Sequence, residues 1–298
     1  MTTTWSIAVF AHNEAANIAA TLESICVVED GITIRVVVLA NGCSDRTASI
    51  VRELATLNNN LQVIEIPLAD KANAWNLYIH EISANSPLSV AEMHVFIDGD
   101  VQVESGSLKA LAAAFEQAPT VNAAGALPVT GRDREAWCRR MLANGTLVGG
   151  LYALRGSFVE RIRRRGIRIP QGLIGEDWLV SLFAKSDLQP LAGNGYAVLP
   201  IPFPSGAGFS FRSLDPRRLK DWHTYLRRLW RYALRGVQFE MLFGWLMHQP
   251  PEALPPNMEQ VYRQALPPSR LKWIGPTSPL RFLAIQRIRM LRTRKSAE

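Results

Sequence analysis

Met93-His94-Val95-Phe96-Ile97-Asp98-Gly99-Asp100 decides the reading of this chain. A short, mostly apolar run of strand length ends in two carboxylates with a glycine between them. The glycine lets the backbone turn and come close to a neighbour. Two carboxylates one residue apart beyond a buried strand can hold a hard divalent cation by oxygen. The same residues also read as an ordinary acidic loop; the strand at 93–97 favours the site.

Upstream, the pattern repeats. Residues 5–10 are an apolar run, after which Asn13, Glu14 and Asn17 open a segment with Ile18, Leu22 and Ile25 on one helical face. Residues 34–40 are β-branched and nearly continuous, as suits a strand covered on both faces. They end at the turn pair Asn41-Gly42, and Ser44 or Asp45 can cap a helix carrying Ile50, Val51 and Leu54. A strand at 61–66 and a helix over 71–82 follow. Downstream, Ser105 or Ser107 starts a helix through Phe115, and 123–129 reads as a further strand.

Strands alternating with helices predict an α/β fold, a mainly parallel sheet with helices on both faces. Ligands of such sheets bind at the carboxyl ends of the strands. Asn13/Glu14, Asn41/Gly42/Asp45 and Asp98/Asp100 each follow a predicted strand, so they are expected on one rim. Each has a second reading as a turn or a helix start. Lys71, Asn73 and Asn76 lie near a helix N-terminus, which suits an anionic or hydroxyl-rich ligand or simply a solvated end. Gly175-Glu176-Asp177-Trp178 lies in a loop opening a helix at 178–184. A carboxylate there can take a proton from an attacking hydroxyl, or serve as an N-cap.

At 298 residues and 48% apolar content, the chain can bury a full core, and 20% charged residues exclude a disordered polyelectrolyte. The net charge of +7 favours anionic partners without choosing among nucleotides, nucleic acid and membrane. Cys26, Cys43 and Cys138 lie far apart without metal-ligand spacing, so a reducing cytoplasmic setting is expected. No secretion signal and no run of roughly 20 apolar residues is present, so no membrane span is expected.

Ala11-His12-Asn13-Glu14, Ala40-Asn41-Gly42-Cys43-Ser44-Asp45-Arg46-Thr47, Lys71-Ala72-Asn73, Phe96-Ile97-Asp98-Gly99-Asp100 and Gly175-Glu176-Asp177, in this order, resemble the family 2 glycosyltransferases of the GT-A (Rossmann-like) fold. The resemblance covers roughly residues 5–235. It implies an inverting transfer of a sugar from a UDP- or GDP-linked donor to a carbohydrate or lipid-linked acceptor hydroxyl, in bacterial polysaccharide or glycolipid synthesis. Ala11, Asn13, Glu14, Asn41 and Asp45 would hold the nucleotide, with Lys71, Asn73 and Gly99 also at the donor. Asp98 would lie near ribose and metal, and Asp100 would bind Mg²⁺ or Mn²⁺. Asp177 would be the base and Glu176 its orienting neighbour. The sequence departs from the pattern at Lys71-Ala72-Asn73-Ala74-Trp75, where the family often has glycines, and lacks the Gln-x-x-Arg-Trp motif of processive members.

The expected division is a catalytic domain over 1–215 and a basic helical extension over 216–298. Residues 149–155 resemble the family strand beneath the acceptor. The basic run 161–168 is a solvated helix end or meets an anionic acceptor or lipid. The Pro/Gly-rich stretch 200–209 is expected as a lid, and Arg212 beyond it can reach a diphosphate. Residues 216–248 read as an amphipathic helix with Trp222, Tyr225, Leu226, Leu229, Trp230, Ala233 and Leu234 as its apolar stripe. His223 is either a metal or phosphate contact or a satisfied histidine. The basic, apolar tail at 280–295 packs on its own core, meets a dimer partner, or lies peripherally on the cytoplasmic face of an anionic inner membrane. A sugar nucleotidyltransferase would need a glycine-rich loop after the first strand, which is lacking. The arginine runs raise a nucleic-acid-binding reading, against which the acidic rim stands; a silent nucleotide-binding module is the third alternative.

Overall fold

In the computed structural model, alternate side chains of the early strands face opposite sides of one sheet, so both faces must be covered. Described are residues 3–25, 31–85, 88–191, 198–212, 219–265 and 278–293, side chains at 219–221, 223, 224, 292 and 293 excepted. The chain begins β1 (Thr3–Ala11), α1 (Ile18–Ile25), β2 (Ile32–Asn41), α2 (Thr47–Ala55), β3 (Leu61–Ile66), α3 (Lys71–Leu77) and β4 (Met93–Asp98). It continues β5 (Val101–Val103), α4 (Ser107–Gln117), β6 (Ala123–Gly125), β7 (Leu127–Pro128), α5 (Arg134–Asn144), β8 (Leu151–Arg155), α6 (Gly156–Arg164) and α7 (Glu176–Lys185). After β9 (Gly208–Phe211), helices α8 (Leu219–Leu246), α9 (Met258–Gln264) and α10 (Ser278–Thr293) complete it.

The main sheet has the order β3-β2-β1-β4-β8-β6, and a small one has β5-β9-β7. Pairings among β1 to β4 are parallel, while β8 runs antiparallel to β4 and to β6. The two-residue alternation of a strand divides the core: Ala8, Phe10 and Phe96 face one apolar cluster, and Ile7, Val9, Val95 and Ile97 face the other. The first cluster also takes Val237, Met241 and Leu242 of α8, Val261 of α9 and Ile285 and Ile288 of α10. The C-terminal helices thus help to close one face of the sheet.

Several local readings shift. The strand expected at 123–129 splits, because the chain leaves the main sheet after Gly125 and β7 joins β9 of the small one. The helix expected over 71–82 is α-helical to Leu77 and then widens into a π-turn, Tyr78–Ile82. Glu176 and Asp177 form the first turn of α7 rather than a loop ahead of it. On α8, the expected apolar stripe is buried only in its later half. Ala233 is covered and Leu229, Trp230 and Leu234 are partly so, whereas Trp222, Tyr225 and Leu226 are about half exposed. A 28-residue helix is about 42 Å long, and its first turns run past the core. On α10, Arg281, Ala284, Ile285 and Ile288 are buried, and Arg281 Nη2 pairs with Glu240 Oε2 of α8 at 2.6 Å. No helix among the described residues is long and apolar enough to cross a membrane.

Candidate active site

The parallel strands bring the loops after β1 and β2 together first. Asn13 has a left-handed backbone (φ 58°), and its Oδ1 accepts from Ser44 N at 2.8 Å and Asp45 N at 3.3 Å. Asp45 accepts from Ala15 N and Thr47 N, each at 3.0 Å, and Glu14 N donates to Thr47 Oγ1 at 2.8 Å. Asn41 is buried, its Nδ2 donating to Ala11 O at 2.9 Å, and Ala11 is fully covered. The turn there needs glycine: Gly42 has φ +61°, and a Cβ would come within 2.5 Å of Ala69 Cβ. Slight burial works to raise Asp45, but the bonds from Thr47 and Ala15 outweigh it and hold its pKa below the ordinary value. Burial raises the Glu14 pKa, against the Asn17 side chain that donates to it.

The loop after β4 abuts this pair of loops. Gly99 N donates to Phe10 O at 2.8 Å, and Thr21 Oγ1 donates to Gly99 O at 3.0 Å. Asp98 then faces a charge cluster that crosses the whole domain. Lys71 Nζ, from the first residue of α3, lies 2.5 Å from Asp98 Oδ1 and 2.7 Å from Glu176 Oε1. Burial alone would lower the Lys71 pKa; Asp98, then Glu176, outweigh it and hold the ammonium well above its usual value. Burial pushes Asp98 up to about 7, Lys71 opposing and Asp100 and Glu176 adding to the rise.

Asp177 is anchored beside this cluster. Its Oδ2 accepts from Gly149 N at 2.9 Å and its Oδ1 from Trp178 N at 2.8 Å, with Arg235 Nη2 of α8 at 3.3 Å from Oδ1. Burial raises its pKa, Arg235 opposing the rise and Glu176 adding to it. Gly149 is wedged between the two acids: a Cβ there would lie 2.7 Å from Lys71 Nζ and 2.9 Å from Asp98 Oδ2. A side chain there would push the charged ends of Lys71 and Asp98 aside.

Lys71, Asp98, Asp100, Gly149, Glu176 and Asp177 line one cleft of about 880 Å³, within the usual range for small-molecule sites. Ala11, Asn13, Glu14, Asn41, Asp45 and Gly99 form the adjoining loops and do not line it. Glu176, expected to orient Asp177, directs its carboxylate to Lys71 instead; the anchors of Asp177 are Gly149, Trp178 and Arg235. Asn73 accepts from Gln171 Nε2 at 2.8 Å, tying α3 to the loop before α7. Arg212 is exposed just beyond β9. The side chain of His223 lies outside the described residues. Arg235 escaped the sequence reading; the visible signal was Arg228, Arg231 and Arg235 at helical spacing on one face of α8.

A parallel sheet with acidic groups at its carboxyl rim, completed by antiparallel β8 and a helical C-terminal region, defines a GT-A glycosyltransferase fold. The protein belongs to glycosyl transferase family 2, whose sequence profile matches residues 6–172, more than half of the 298-residue chain. Among solved structures it is similar to the mannosyltransferase PcManGT from Pyrobaculum calidifontis in complex with GDP-Man and Mn²⁺. That match has 18% identity, covers 96% of this chain and 73% of that one, and gives a TM-score of 0.60. It is also similar to S. aureus TarS 1-349 in complex with UDP-GlcNAc, at 15% identity, 97% and 81% coverage and a TM-score of 0.54. No curated protein sequence matches the chain.

Proposed function

We propose that the protein is an inverting glycosyltransferase that moves a sugar from a nucleoside-diphosphate sugar to an acceptor hydroxyl, with Asp177 as general base. The observation that carries this reading is the anchored Asp177 carboxylate in the same cleft as Asp98 and Asp100. The acceptor oxygen attacks the anomeric carbon opposite the diphosphate, the sugar–diphosphate C–O bond breaks, and the hydroxyl proton passes to Asp177. The Gly149 N–H and Arg235 hold that carboxylate in place, and Lys71 offsets the charge of Asp98 and Glu176 behind it.

The carboxylates suit a hard cation, Mg²⁺ or Mn²⁺, on Asp100 and Asp98. Among the described residues no group of three or more protein ligands occurs. That fits an ion held by one or two carboxylates, with substrate phosphates and water as the remaining ligands. When bound, such an ion neutralises charge on the leaving diphosphate. The GDP-Man and UDP-GlcNAc bound in the two similar structures support a donor of this class. The loops of Asn13, Glu14, Asn41 and Asp45 are assigned to the nucleotide, and Arg212 to its diphosphate. Synthesis of a bacterial polysaccharide or glycolipid is the setting that family membership supports. Phe282, Leu283, Met290 and Leu291, exposed on α10 beside Arg287, support peripheral contact with an anionic bilayer.

A thermal-shift screen against UDP, GDP, dTDP and CDP, with and without Mn²⁺, tests the donor site. Stabilisation by one nucleotide that depends on the metal is the expected result. Silence towards every nucleotide with Mn²⁺ present removes the proposal and leaves a binding module without a donor.

A further inference from the structure

The far wall of the cleft has a chemistry that the donor and the base do not use. Contacts arrange the site in a line: Asp98 abuts Gly149, Gly149 N donates to Asp177 Oδ2, and Arg235 meets Asp177 Oδ1. Arg231 and Arg228 lie one and two turns further along α8, at about 6 and 10 Å of helix rise from Arg235. Both line the cleft, as do Arg140 and Trp137 of α5 and Tyr232 of α8. The acceptor must approach Asp177, so a wall that begins on its Oδ1 side is where the rest of the acceptor lies.

Several arginines of the surface elsewhere are paired. There, Arg46 pairs with Glu53, Arg161 with Asp187, Arg164 with Glu160, Arg165 with Glu252 and Arg263 with Glu259. Arg140, Arg228 and Arg231 have no carboxylate partner among the described residues. Uncompensated guanidinium groups around a concave surface favour an anion, and their planar forks match phosphate and carboxylate. The exposed faces of Trp137 and Tyr232 add an aromatic platform of the kind that packs on a sugar ring.

We infer that the α5/α8 wall is an acceptor subsite for an anionic sugar, one bearing phosphate or carboxylate. This rests on the glycosyltransferase reading and names the substrate class of its second site. A free sugar phosphate and a lipid-borne one present the same chemistry.

The test compares wild type with the double variant Arg228→Ala/Arg231→Ala, both positions being exposed. Calorimetry at saturating UDP or GDP with Mn²⁺ measures binding of glucose 6-phosphate, glucuronate and uncharged glucose. Wild type is expected to prefer the two anions over glucose, and the double variant to lose about tenfold of that preference while its nucleotide affinity is unchanged. Equal binding of glucose and glucose 6-phosphate, or an undiminished preference in the variant, overturns the inference. A parallel fall in nucleotide affinity also overturns it, since the arginines would then serve the donor. Should none of UDP, GDP, dTDP and CDP bind, the donor reading falls, while the glucose 6-phosphate comparison still decides the arginine wall. Sedimentation with phosphatidylglycerol vesicles that depends on Arg228 and Arg231 assigns the lipid-borne source; capture of glucose 6-phosphate without it assigns the soluble one.

Discussion

The loops after β1 and β2 and the cleft beside β4 are neighbours built on opposite principles. Around Asn13, Asp45 and Thr47, backbone N–H groups meet side-chain oxygens across the loops, and the bonds lie near the surface. Around Lys71, Asp98, Glu176 and Asp177, ionised groups are drawn out of water and balanced against each other. Local hydrogen bonds each contribute about 1 kcal/mol and stand alone. A buried charge cluster is different: removal of one member leaves the others uncompensated. The first region holds a shape, and the second holds a reactive state that depends on pH.

The largest effect that can break this comparison is on transfer itself. Asp177→Asn keeps the shape of the side chain and removes the proposed proton acceptor. It is expected to lower kcat by about 10²–10⁴-fold, with the nucleotide-dependent thermal shift intact. Near-normal turnover would move the base elsewhere and reduce the cleft cluster to a structural feature.

Next in size is Lys71→Met. It strands Asp98 and Glu176 without their cation, and a loss of about 3 kcal/mol is expected in urea unfolding at pH 8. The sign with pH follows from Asp98. Its folded pKa, already about 7 with Lys71 present, lies above the unfolded value, so the folded state binds the extra proton. Stability is therefore greatest below the unfolded pKa and falls as pH rises through about 7, more steeply in the variant than in wild type. An Asp98→Asn background should flatten that fall, and a slope unchanged by Asp98→Asn would contradict it.

Arg235→Gln acts on a single link of the cluster. Arg235 opposes the rise that burial imposes on Asp177, so its loss leaves the carboxyl protonated to higher pH. The acid limb of the kcat/KM profile should move upward while the alkaline limb stays. A uniform fall at every pH would instead mark Arg235 as a substrate contact.

Legibility followed the same division. Period and position made the strands and the rim readable, since β1, β2 and β4 are apolar runs that end in polar turns. The partners inside the cleft were not readable, because they come from distant segments. Nothing local in Gly149 announces that it lies between Asp98 and Asp177, and the adjacency of Glu176 and Asp177 in sequence does not announce the ion pair of Glu176 with Lys71. Adjacent residues at a helix start point in different directions; Glu176 thus reaches Lys71 while Asp177 meets Gly149. Amphipathicity found the stripe of α8, but not where the core beneath it stops.

The smallest effect is expected where the comparison predicts independence. Asn13→Gly keeps the left-handed backbone free and removes the side-chain acceptor of Ser44 N, Ser44 Oγ and Asp45 N, at about 1 kcal/mol. Asn13→Ala loses the same bonds but keeps a Cβ at φ 58°, which costs about 1 kcal/mol relative to the glycine variant. Urea unfolding of the two variants separates hydrogen bonding from backbone strain. Because the donors are backbone amides and a hydroxyl, and the acceptor is a neutral amide, the difference between the variants should be the same at pH 6 and pH 8. A difference that changes with pH as steeply as that of Lys71→Met would mean that the loops and the cleft titrate as one network.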